Sequence, residues 1–363
     1  MRKTWLSSLI TALVVFCCVS LSAAACTNIT LRTTGGDVIR ARTMELGGDL
    51  ESEMLVIPKG SKLSGYGPGG DQDGMQWTAT YSAAGLNGFH LPIIVDGLND
   101  QGLSGGMLMF PTFAKSQTFE SDKLDKTISA EQVLTWALTQ YATVEEVRAA
   151  LPEIQVIDVA LEGVPAFPLH YIFTDTSGKS IVAEYTDGTL NIYDNPLGVL
   201  TNSPPFPWHE INLRNFVNLT ITNVPPVNLD GLELEPLGSG QSLHGMPGDF
   251  TPPSRFVRAT IYSQAAPKLD KAEDTVLEAF HIMNQFDIPP GIVPGNPATA
   301  PAGAKPEMEL TQWTIVIDQA NLKIYVTTLQ NRGVQVFDLS TIDESKGIQQ
   351  LPLASETSIT PIG

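Results

Sequence analysis

The chain has 363 residues, and its 39 acidic and 21 basic side chains give a formal net charge of −18 at pH 7. Proteins that bind nucleic acids carry clusters of Lys and Arg, so this acidic balance argues against that class. Hydrophobic residues make up 42% of the chain, and this length can bury a full core in one large domain or two small ones.

The first 25 residues have the layout of a secretory signal peptide. Arg2 and Lys3 give a basic start, an apolar run follows from Trp5 to Val19, and small residues end the segment at Ala25. The apolar run is short and interrupted by Ser, which argues against a transmembrane anchor. We therefore expect the leader to be removed, leaving 26–363 as a single periplasmic or secreted domain without a stable membrane anchor.

The leader contains Cys17 and Cys18, so Cys26 is the only cysteine of the expected mature chain. Exported proteins normally pair their cysteines in disulfides, and an unpaired thiol therefore needs another role. One such role is catalysis. The other is lipid attachment, because small residues before a cysteine resemble a bacterial lipoprotein signal, although Ala23 occupies a position where a larger aliphatic residue is usual. An acylated amine could not act as a base, so the two roles exclude each other.

Strand patterns predominate in the first part of the mature chain. A hairpin is predicted from alternating β-branched residues at Thr27–Leu31 and Val38–Met44, joined by a Gly-Gly turn. Residues 60–74 have the composition of a loop. Further strands are predicted at Met75–Tyr81, Pro92–Val95 and Leu103–Phe110, the last two joined through 97–102.

Two helices follow, and each has a start signal in the sequence. Ser129 with Gln132 and Thr143 with Glu146 are capping-box arrangements, and Pro152 ends the second helix.

The rest of the chain alternates between strand and helix patterns. The predicted elements are strands at His170–Thr174, Ile181–Tyr185 and Leu190–Tyr193, helices at Ser254–Ser263 and Lys271–Phe286, a loop at Pro289–Pro306, and strands at Trp313–Asp318, Lys323–Thr328 and Gly333–Leu339. The last strands are too few for a core of their own, so we expect them to rejoin the main sheet. Hairpin connections favour an α+β fold, with antiparallel sheets and helices packed outside.

Cys26 is a candidate nucleophile that carries its own base. None of the five histidines, at positions 90, 170, 209, 244 and 281, lies in a recognisable motif. A distant Cys-His pair is possible. However, an N-terminal cysteine has a free α-amino group with a pKa of about 7.7–8.0, which can accept the thiol proton near neutral pH. No histidine is then required.

A series of short motifs, in a fixed order, resembles the choloylglycine hydrolase family. The motifs are Cys26-Thr27, Arg42-Thr43-Met44-Glu45, Gly97-Leu98-Asn99-Asp100-Gln101-Gly102-Leu103, Leu200-Thr201-Asn202-Ser203-Pro204, His244-Gly245-Met246-Pro247-Gly248-Asp249 and Pro253-Ser254-Arg255-Phe256. This family includes bile salt hydrolases and penicillin V acylases, and the resemblance implies an N-terminal-nucleophile αββα sandwich with two antiparallel sheets between helix layers. The Ala25-Cys26 junction most resembles the Gram-negative exported branch, whose known substrates are penicillin V and N-acyl homoserine lactones.

The resemblance also implies roles for five catalytic residues. Cys26 would attack an amide carbonyl and form a thioester, while Arg42 would favour the thiolate. Glu45 stands where the family usually has Asp, whose carboxylate holds the α-amino group. Asn202 would stabilise the oxyanion, a contribution of about 2.7–4 kcal/mol per donor, and Arg255 would orient the nucleophile. Without the resemblance, Glu45 reads as a solvated carboxylate and Asn202 as a turn residue.

Met109 is the second departure from the family, which commonly has Asn or Tyr there. Met offers no side-chain donor, so the pocket would be more apolar. With Phe110 and Trp77 as further substrate-binding residues, it would suit an aryl or alkyl acyl group. Core packing is the alternative for each of these residues.

These observations predict an exported cysteine amidase of N-acyl compounds, of the penicillin V or N-acyl homoserine lactone type. The alternatives are a bile salt hydrolase of the same family, or a non-catalytic, lipid-anchored binding protein acylated at Cys26. We expect neither cofactor nor metal, and the partner would be a small-molecule N-acyl amide. The family resemblance implies a homotetramer.

Overall fold

The computed structural model describes residues 25–161, 164–295, 307–357 and 362. The predicted leader therefore lies outside the described residues except for Ala25, which is buried. The predicted loop at Pro289–Pro306 is described only up to residue 295 and does not stay irregular, because Val293–Pro294 forms a short strand.

The described residues form strands and helices in the following order. The strands are β1 (Cys26–Arg32), β2 (Val38–Glu45), β3 (Glu53–Ile57), β4 (Lys62–Ser64), β5 (Gln76–Thr78), β6 (Ala83–Leu86), β7 (Asp96–Asn99), β8 (Ser104–Met109), β9 (Thr127–Ser129), β10 (Gln155–Ile157), β11 (Leu169–Thr174), β12 (Ser180–Thr186), β13 (Thr189–Asp194), β14 (Val227–Leu229), β15 (Leu232–Leu234), β16 (Val293–Pro294), β17 (Met308–Glu309), β18 (Thr311–Asp318), β19 (Lys323–Thr328), β20 (Gln335–Asp338) and β21 (Gln349–Pro352). The α-helices are α1 (Val133–Gln140), α2 (Val144–Ala150), α3 (Phe206–Asn212), α4 (Pro252–Ala265) and α5 (Ala272–Met283).

Two antiparallel sheets form the centre of the molecule. The first has five strands in the order β1-β2-β18-β19-β20, and the second has eight in the order β13-β12-β11-β8-β7-β6-β3-β21. The C-terminal strand β18 pairs directly with β2, so the last strands rejoin the main sheet. The remaining strands form small two-stranded sheets.

Helices cover the outer faces of both sheets. Helices α4 and α5 pack against β1, β2 and β18, whereas α1 and α2 pack against strands of the eight-stranded sheet. Every residue of β2 and β18 is buried, as expected for strands covered by helices on one face and by the other sheet on the opposite face. The predicted αββα sandwich is therefore confirmed.

Local sequence signals account for several of these elements. The turn between β1 and β2 places Gly36 at a φ of 95°, in the left-handed region that glycine adopts without strain. Thr143 and Glu146 form the predicted capping box at α2, in which the Thr143 hydroxyl accepts from the Glu146 N–H at 3.2 Å. Ser129 and Gln132 form the other, which begins a short 3-10 turn before α1.

The strand predicted at Pro92–Val95 was wrong, because the strand lies at Asp96–Asn99, where a connection was expected. Gly97 pairs directly with Gly85 in the neighbouring strand. A Cβ atom on Gly97 would lie 2.4 Å from the Ala84 carbonyl oxygen, so glycine here permits close strand packing instead of forming a turn. The elements that were not predicted are strands β3, β4, β6, β9, β10, β14, β15, β16, β17 and β21 and helix α3.

No helix in the described part of the chain is both long enough and apolar enough to span a membrane.

Candidate active site

Cys26 is the first residue of β1, at one edge of the five-stranded sheet, and its side chain is fully buried. Its Sγ accepts a hydrogen bond from Arg42 Nη2 at 3.2 Å and lies 3.7 Å from the thioether sulfur of Met44. The Cys26 backbone N–H donates to Asn202 Oδ1 at 2.8 Å. The backbone nitrogen of Cys26 is therefore held by a side chain.

Arg42 places a fixed positive charge beside the thiol. It lies on β2, and its Nη1 donates to the Val95 carbonyl at 3.2 Å and to Asp96 Oδ2 at 3.3 Å. Burial lowers the pKa of Arg42, but Cys26 and Asp96 raise it more, and the net shift is upward. A guanidinium held in this way favours the thiolate, which is the nucleophilic form of cysteine.

Asp96 anchors the buried arginines from the second sheet. It forms a salt bridge with Arg40, which also donates to Asp96 Oδ2 at 3.1 Å. Both partners are fully buried, so each charge depends on the other for compensation. Asp96 belongs to none of the motifs quoted from the sequence, although it directly precedes the Gly97 motif of the family resemblance.

Arg255 joins the nucleophile to Asn202. It lies in the first turns of α4, and its Nη1 donates to the Cys26 carbonyl oxygen and to Thr27 Oγ1, the latter at 2.8 Å. Its Nη2 donates to Asn202 Oδ1 at 2.6 Å. Burial lowers the pKa of Arg255 to about 10, with Glu45 and Cys26 opposing the shift.

Glu45 ends β2 and is almost completely buried. Its Oε1 accepts from Thr311 Oγ1 at 3.0 Å, whereas its Oε2 has no partner among the described residues. Burial raises the pKa of Glu45 to about 8, although Arg255 acts in the opposite direction. The solvated carboxylate considered from the sequence is therefore wrong, and Glu45 can exchange a proton near neutral pH.

Glu309 is a second buried carboxyl that interacts with Arg255, and it was not predicted from the sequence. It ends the short strand β17, and both carboxyl oxygens lack a partner among the described residues. Burial raises its pKa to about 7, and Arg255 lowers it. No local pattern distinguishes this glutamate from a solvated one, because Arg255, the charge that acts on it, lies on α4, far away in the sequence.

Asn202 uses both ends of its amide. Its Oδ1 accepts from the Cys26 N–H and from Arg255, and its Nδ2 donates to the Met109 carbonyl at 2.8 Å. A side-chain amide carries two N–H hydrogens, so one remains after the bond to Met109. The structure thus brings together Cys26, Arg42, Asn202 and Arg255 through direct hydrogen bonds, and Glu45 through its charge.

A narrow apolar cavity, partly open to solvent, lies near the thiol, although Cys26 itself does not line it. Met44 connects the two, since its sulfur contacts Cys26 and its side chain lines the cavity. The other lining residues are Leu46, Leu50, Gly88, Phe89, Leu91, Ile93, Val95, Met107, Met109, Glu131, Phe167 and Leu169.

Glu131 is the single ionisable residue among the described residues that line this cavity. Its Oε1 accepts from the Phe167 backbone N–H at 2.9 Å, and burial raises its pKa to about 7. The carboxyl thus fixes the position of Phe167 in the wall.

Of the three residues predicted to bind substrate, Met109 lines the cavity and the other two do not. Side chains alternate along β8, so Met107 and Met109 share the cavity side, while Phe110 stacks on His170 with ring centroids 4.6 Å apart. Trp77 is held elsewhere, where its indole N–H donates to Thr139 Oγ1 at 3.0 Å. The predictions for Phe110 and Trp77 therefore do not fit this cavity.

Comparisons with known proteins agree with this geometry. Residues 26–346 match the choloylglycine hydrolase family of linear amide C–N hydrolases. A bile salt hydrolase/transferase of Clostridium perfringens is 33% identical over 318 residues, covering 87% of this chain and 92% of that protein. A penicillin V acylase of Pectobacterium atrosepticum is 25% identical over 326 residues, covering 84% and 78% of the two chains.

A solved structure extends the comparison to three dimensions. The crystal structure of a mutant conjugated bile acid hydrolase from Clostridium perfringens matches with a TM-score of 0.82 and 30% identity, covering 93% of this chain and all of that one. The chain is thus a hydrolase of carbon–nitrogen bonds other than peptide bonds, and it belongs to the choloylglycine hydrolase family.

Proposed function

We propose that the chain is an exported cysteine amidase that hydrolyses N-acyl compounds with an apolar acyl group, of the penicillin V or N-acyl homoserine lactone type. One observation carries this proposal: the Cys26 thiol contacts Met44, whose side chain lines an apolar cavity that is partly open to solvent. An acyl group bound in this cavity would bring its carbonyl carbon to the thiol.

The proposed reaction needs the α-amine that forms when the Ala25–Cys26 bond is cut. This amine takes the thiol proton while Sγ attacks the amide carbonyl carbon. The tetrahedral intermediate then collapses, the C–N bond breaks, and the amine of Cys26 gives its proton to the leaving nitrogen. Water attacks the resulting thioester, with the same amine as base, and releases the carboxylic acid and the free thiol.

The neighbouring residues support each step of this proposal. Arg42 stabilises the thiolate from 3.2 Å, and the remaining N–H of Asn202 is available for the oxyanion. Arg255 holds the Cys26 carbonyl and so orients the nucleophile. Glu45, buried near Arg255 with one unpartnered oxygen, would receive the new α-ammonium.

The test is replacement of the nucleophile. Cys26→Ser and Cys26→Ala should abolish hydrolysis of penicillin V, long-chain acyl homoserine lactones and conjugated bile salts, while a wild-type protein tested on the same panel reveals the preferred acyl group. Full activity in either variant would refute the assignment of Cys26 as the nucleophile.

A bile salt hydrolase is the second candidate, because the Clostridium perfringens relative at 33% identity carries that name. The cavity argues for the first candidate, since no described lining residue is positively charged and all of them except Glu131 are apolar. A higher kcat/KM for conjugated bile salts than for acyl homoserine lactones and penicillin V would identify the protein as a bile salt hydrolase.

We further propose that residues 1–25 direct export to the periplasm or medium and are then removed. The family match begins at Cys26, which supports a mature chain starting at that residue. Intact mass of the exported protein tests this point. A mass for residues 26–363 with a free amine supports the enzyme, whereas an added diacylglycerol would establish the lipid-anchored binding protein.

Assembly into a homotetramer is also a proposal. An exposed hairpin of β14 and β15 supports it, because Val227, Leu229, Leu232 and Leu234 all lie on the surface. Exposed apolar clusters of this kind mark interaction sites. Replacing the four residues with Ser should reduce the molecular mass in solution; an unchanged mass would contradict this interface.

A further inference from the structure

Two fully buried histidines, His170 on β11 and His209 on α3, have no role in the reaction described above. His170 Nε2 lies 3.1 Å from the Thr201 carbonyl oxygen, and His209 Nε2 lies 2.9 Å from the Asn202 carbonyl oxygen. A carbonyl oxygen can only accept a hydrogen bond. Both histidines therefore donate to the main chain, at two consecutive residues.

Each histidine ring also stacks on a phenylalanine. His170 stacks on Phe110 with ring centroids 4.6 Å apart, and His209 stacks on Phe256 at 4.7 Å. Such stacking between buried rings fixes their orientation.

These two phenylalanines are adjacent in sequence to the partners of the Asn202 side chain. Phe110 follows Met109, whose carbonyl accepts from Asn202 Nδ2, and Phe256 follows Arg255, whose Nη2 donates to Asn202 Oδ1. The two histidine rings thus contact the main chain at Thr201 and Asn202. Through the stacked phenylalanines they also pack beside Met109 and Arg255, the partners of the Asn202 amide.

The tautomer of His209 agrees with this arrangement. Burial lowers its pKa to about 4, so the ring is neutral at ordinary pH. The Asn202 carbonyl oxygen can only accept, so the single ring hydrogen is on Nε2 and is directed at that oxygen. Of the two rings, His170 has the additional contact, since its Nδ1 lies 3.1 Å from Glu184 Oε1.

We propose that His170 and His209 are positioning residues for Asn202, which they hold in the orientation that binds the nitrogen of Cys26. The inference rests on the proposed function, because Asn202 matters only if Cys26 is the nucleophile. Its physical basis is that the oxyanion donor and the amine must both be placed within a fraction of an ångström. A displacement of about 1 Å can reduce the rate by about 100-fold.

The experiment compares three variants of His209 in the mature protein. His209→Leu removes the donor and should lower kcat by about 10- to 100-fold, with a much smaller change in KM, because the apolar cavity is untouched. His209→Gln offers an amide N–H in place of Nε2–H and should restore most of kcat. His209→Asn carries the same amide as the Gln variant but is one methylene shorter, so its N–H should not reach the Asn202 carbonyl and its kcat should resemble that of the Leu variant. It replaces the Leu variant in the comparison if the Leu variant does not fold.

A second measurement separates this proposal from the proposed function. The rate at which iodoacetamide alkylates Cys26 needs no substrate, and it should fall in the Leu and Asn variants and recover in the Gln variant. If wild-type protein hydrolyses no acyl amide, the proposed function fails, but the alkylation series still tests the histidines. The proposal would be overturned if a folded Leu or Asn variant kept the wild-type kcat and alkylation rate. It would also be overturned if the Gln variant lost as much kcat and alkylation rate as the Leu variant.

Discussion

Replacing Glu45 with Gln should change how the stability of the uncleaved chain depends on pH. With the Ala25–Cys26 bond intact, burial raises the pKa of Glu45 from 4.5 to about 8. The folded state therefore retains a proton that the unfolded state releases above pH 4.5. Between these two pKa values the unfolded state binds fewer protons, so the free energy of unfolding falls as pH rises.

The structure gives the size of this effect. Each pH unit between the two pKa values costs about 1.4 kcal/mol, so the interval from 4.5 to about 8 amounts to about 5 kcal/mol. Glu45→Gln removes the titration but keeps an oxygen for the Thr311 hydroxyl, which now donates to Glu45 Oε1 at 3.0 Å. Glu131 and Glu309, whose pKa values are about 7, still contribute their own smaller pH dependence.

Urea unfolding followed by tryptophan fluorescence provides the assay, at intervals from about pH 5 to about pH 8. The stability advantage of Glu45→Gln over the wild type should grow steadily across this range. Glu153→Gln neutralises an exposed carboxyl and serves as the matched control. If the wild type and Glu45→Gln lose stability in parallel from pH 5 to 8, the reasoning about the buried carboxyl is refuted.

Three further predictions address other parts of the molecule. Arg42→Leu removes one partner of the buried Asp96 carboxylate and should lower the free energy of unfolding by about 3 kcal/mol. The same variant should slow alkylation of Cys26 by iodoacetamide, because the guanidinium no longer favours the thiolate. An unchanged alkylation rate would contradict this role of Arg42. Gly97→Ala would bring a Cβ atom to 2.4 Å from the Ala84 carbonyl and should cost about 1–3 kcal/mol in urea unfolding, so a neutral result would argue against the close strand pairing. Ile93→Trp narrows the apolar cavity and should raise KM for long-chain acyl amides more than for short ones; equal changes would show that the acyl group binds elsewhere.

Local signals in the sequence predicted much of the fold because their physical causes are local. The capping box at Thr143 needs only residues of its own helix, and the turn containing Gly36 needs only one permissive backbone position. By contrast, Gly97 has the same appearance in sequence as a turn glycine. Only its pairing with Gly85, in another strand, shows that it allows close packing.

The candidate site was predictable where its residues belong to ordered motifs. Cys26, Arg42 and Asn202 lie together as the motif series implies. Glu309 and His209 lie in no such motif. Glu309 interacts with Arg255 and His209 stacks on Phe256, both on α4. Single-sequence patterns do not report such contacts.

The substrate-binding predictions show a similar limit. The sequence marks residues 107–110 as a hydrophobic strand but not which side faces the substrate. In the structure, Met107 and Met109 line the cavity, while Phe110 stacks on His170 on the other side of the strand. A change of one residue along a strand therefore moves a side chain from the binding cavity to the support of Asn202.

The pairing of β2 with β18 has a consequence for synthesis of the chain. Glu45 meets Thr311 across a sequence separation of 266 residues, and β18 lies between the N-terminal hairpin and β19. Contacts so distant in sequence form slowly, and only after the intervening chain is available. Until β18 emerges from the ribosome, β2 has an open edge and Glu45 lacks its hydroxyl partner, so no nascent fragment ending before residue 311 contains a complete site.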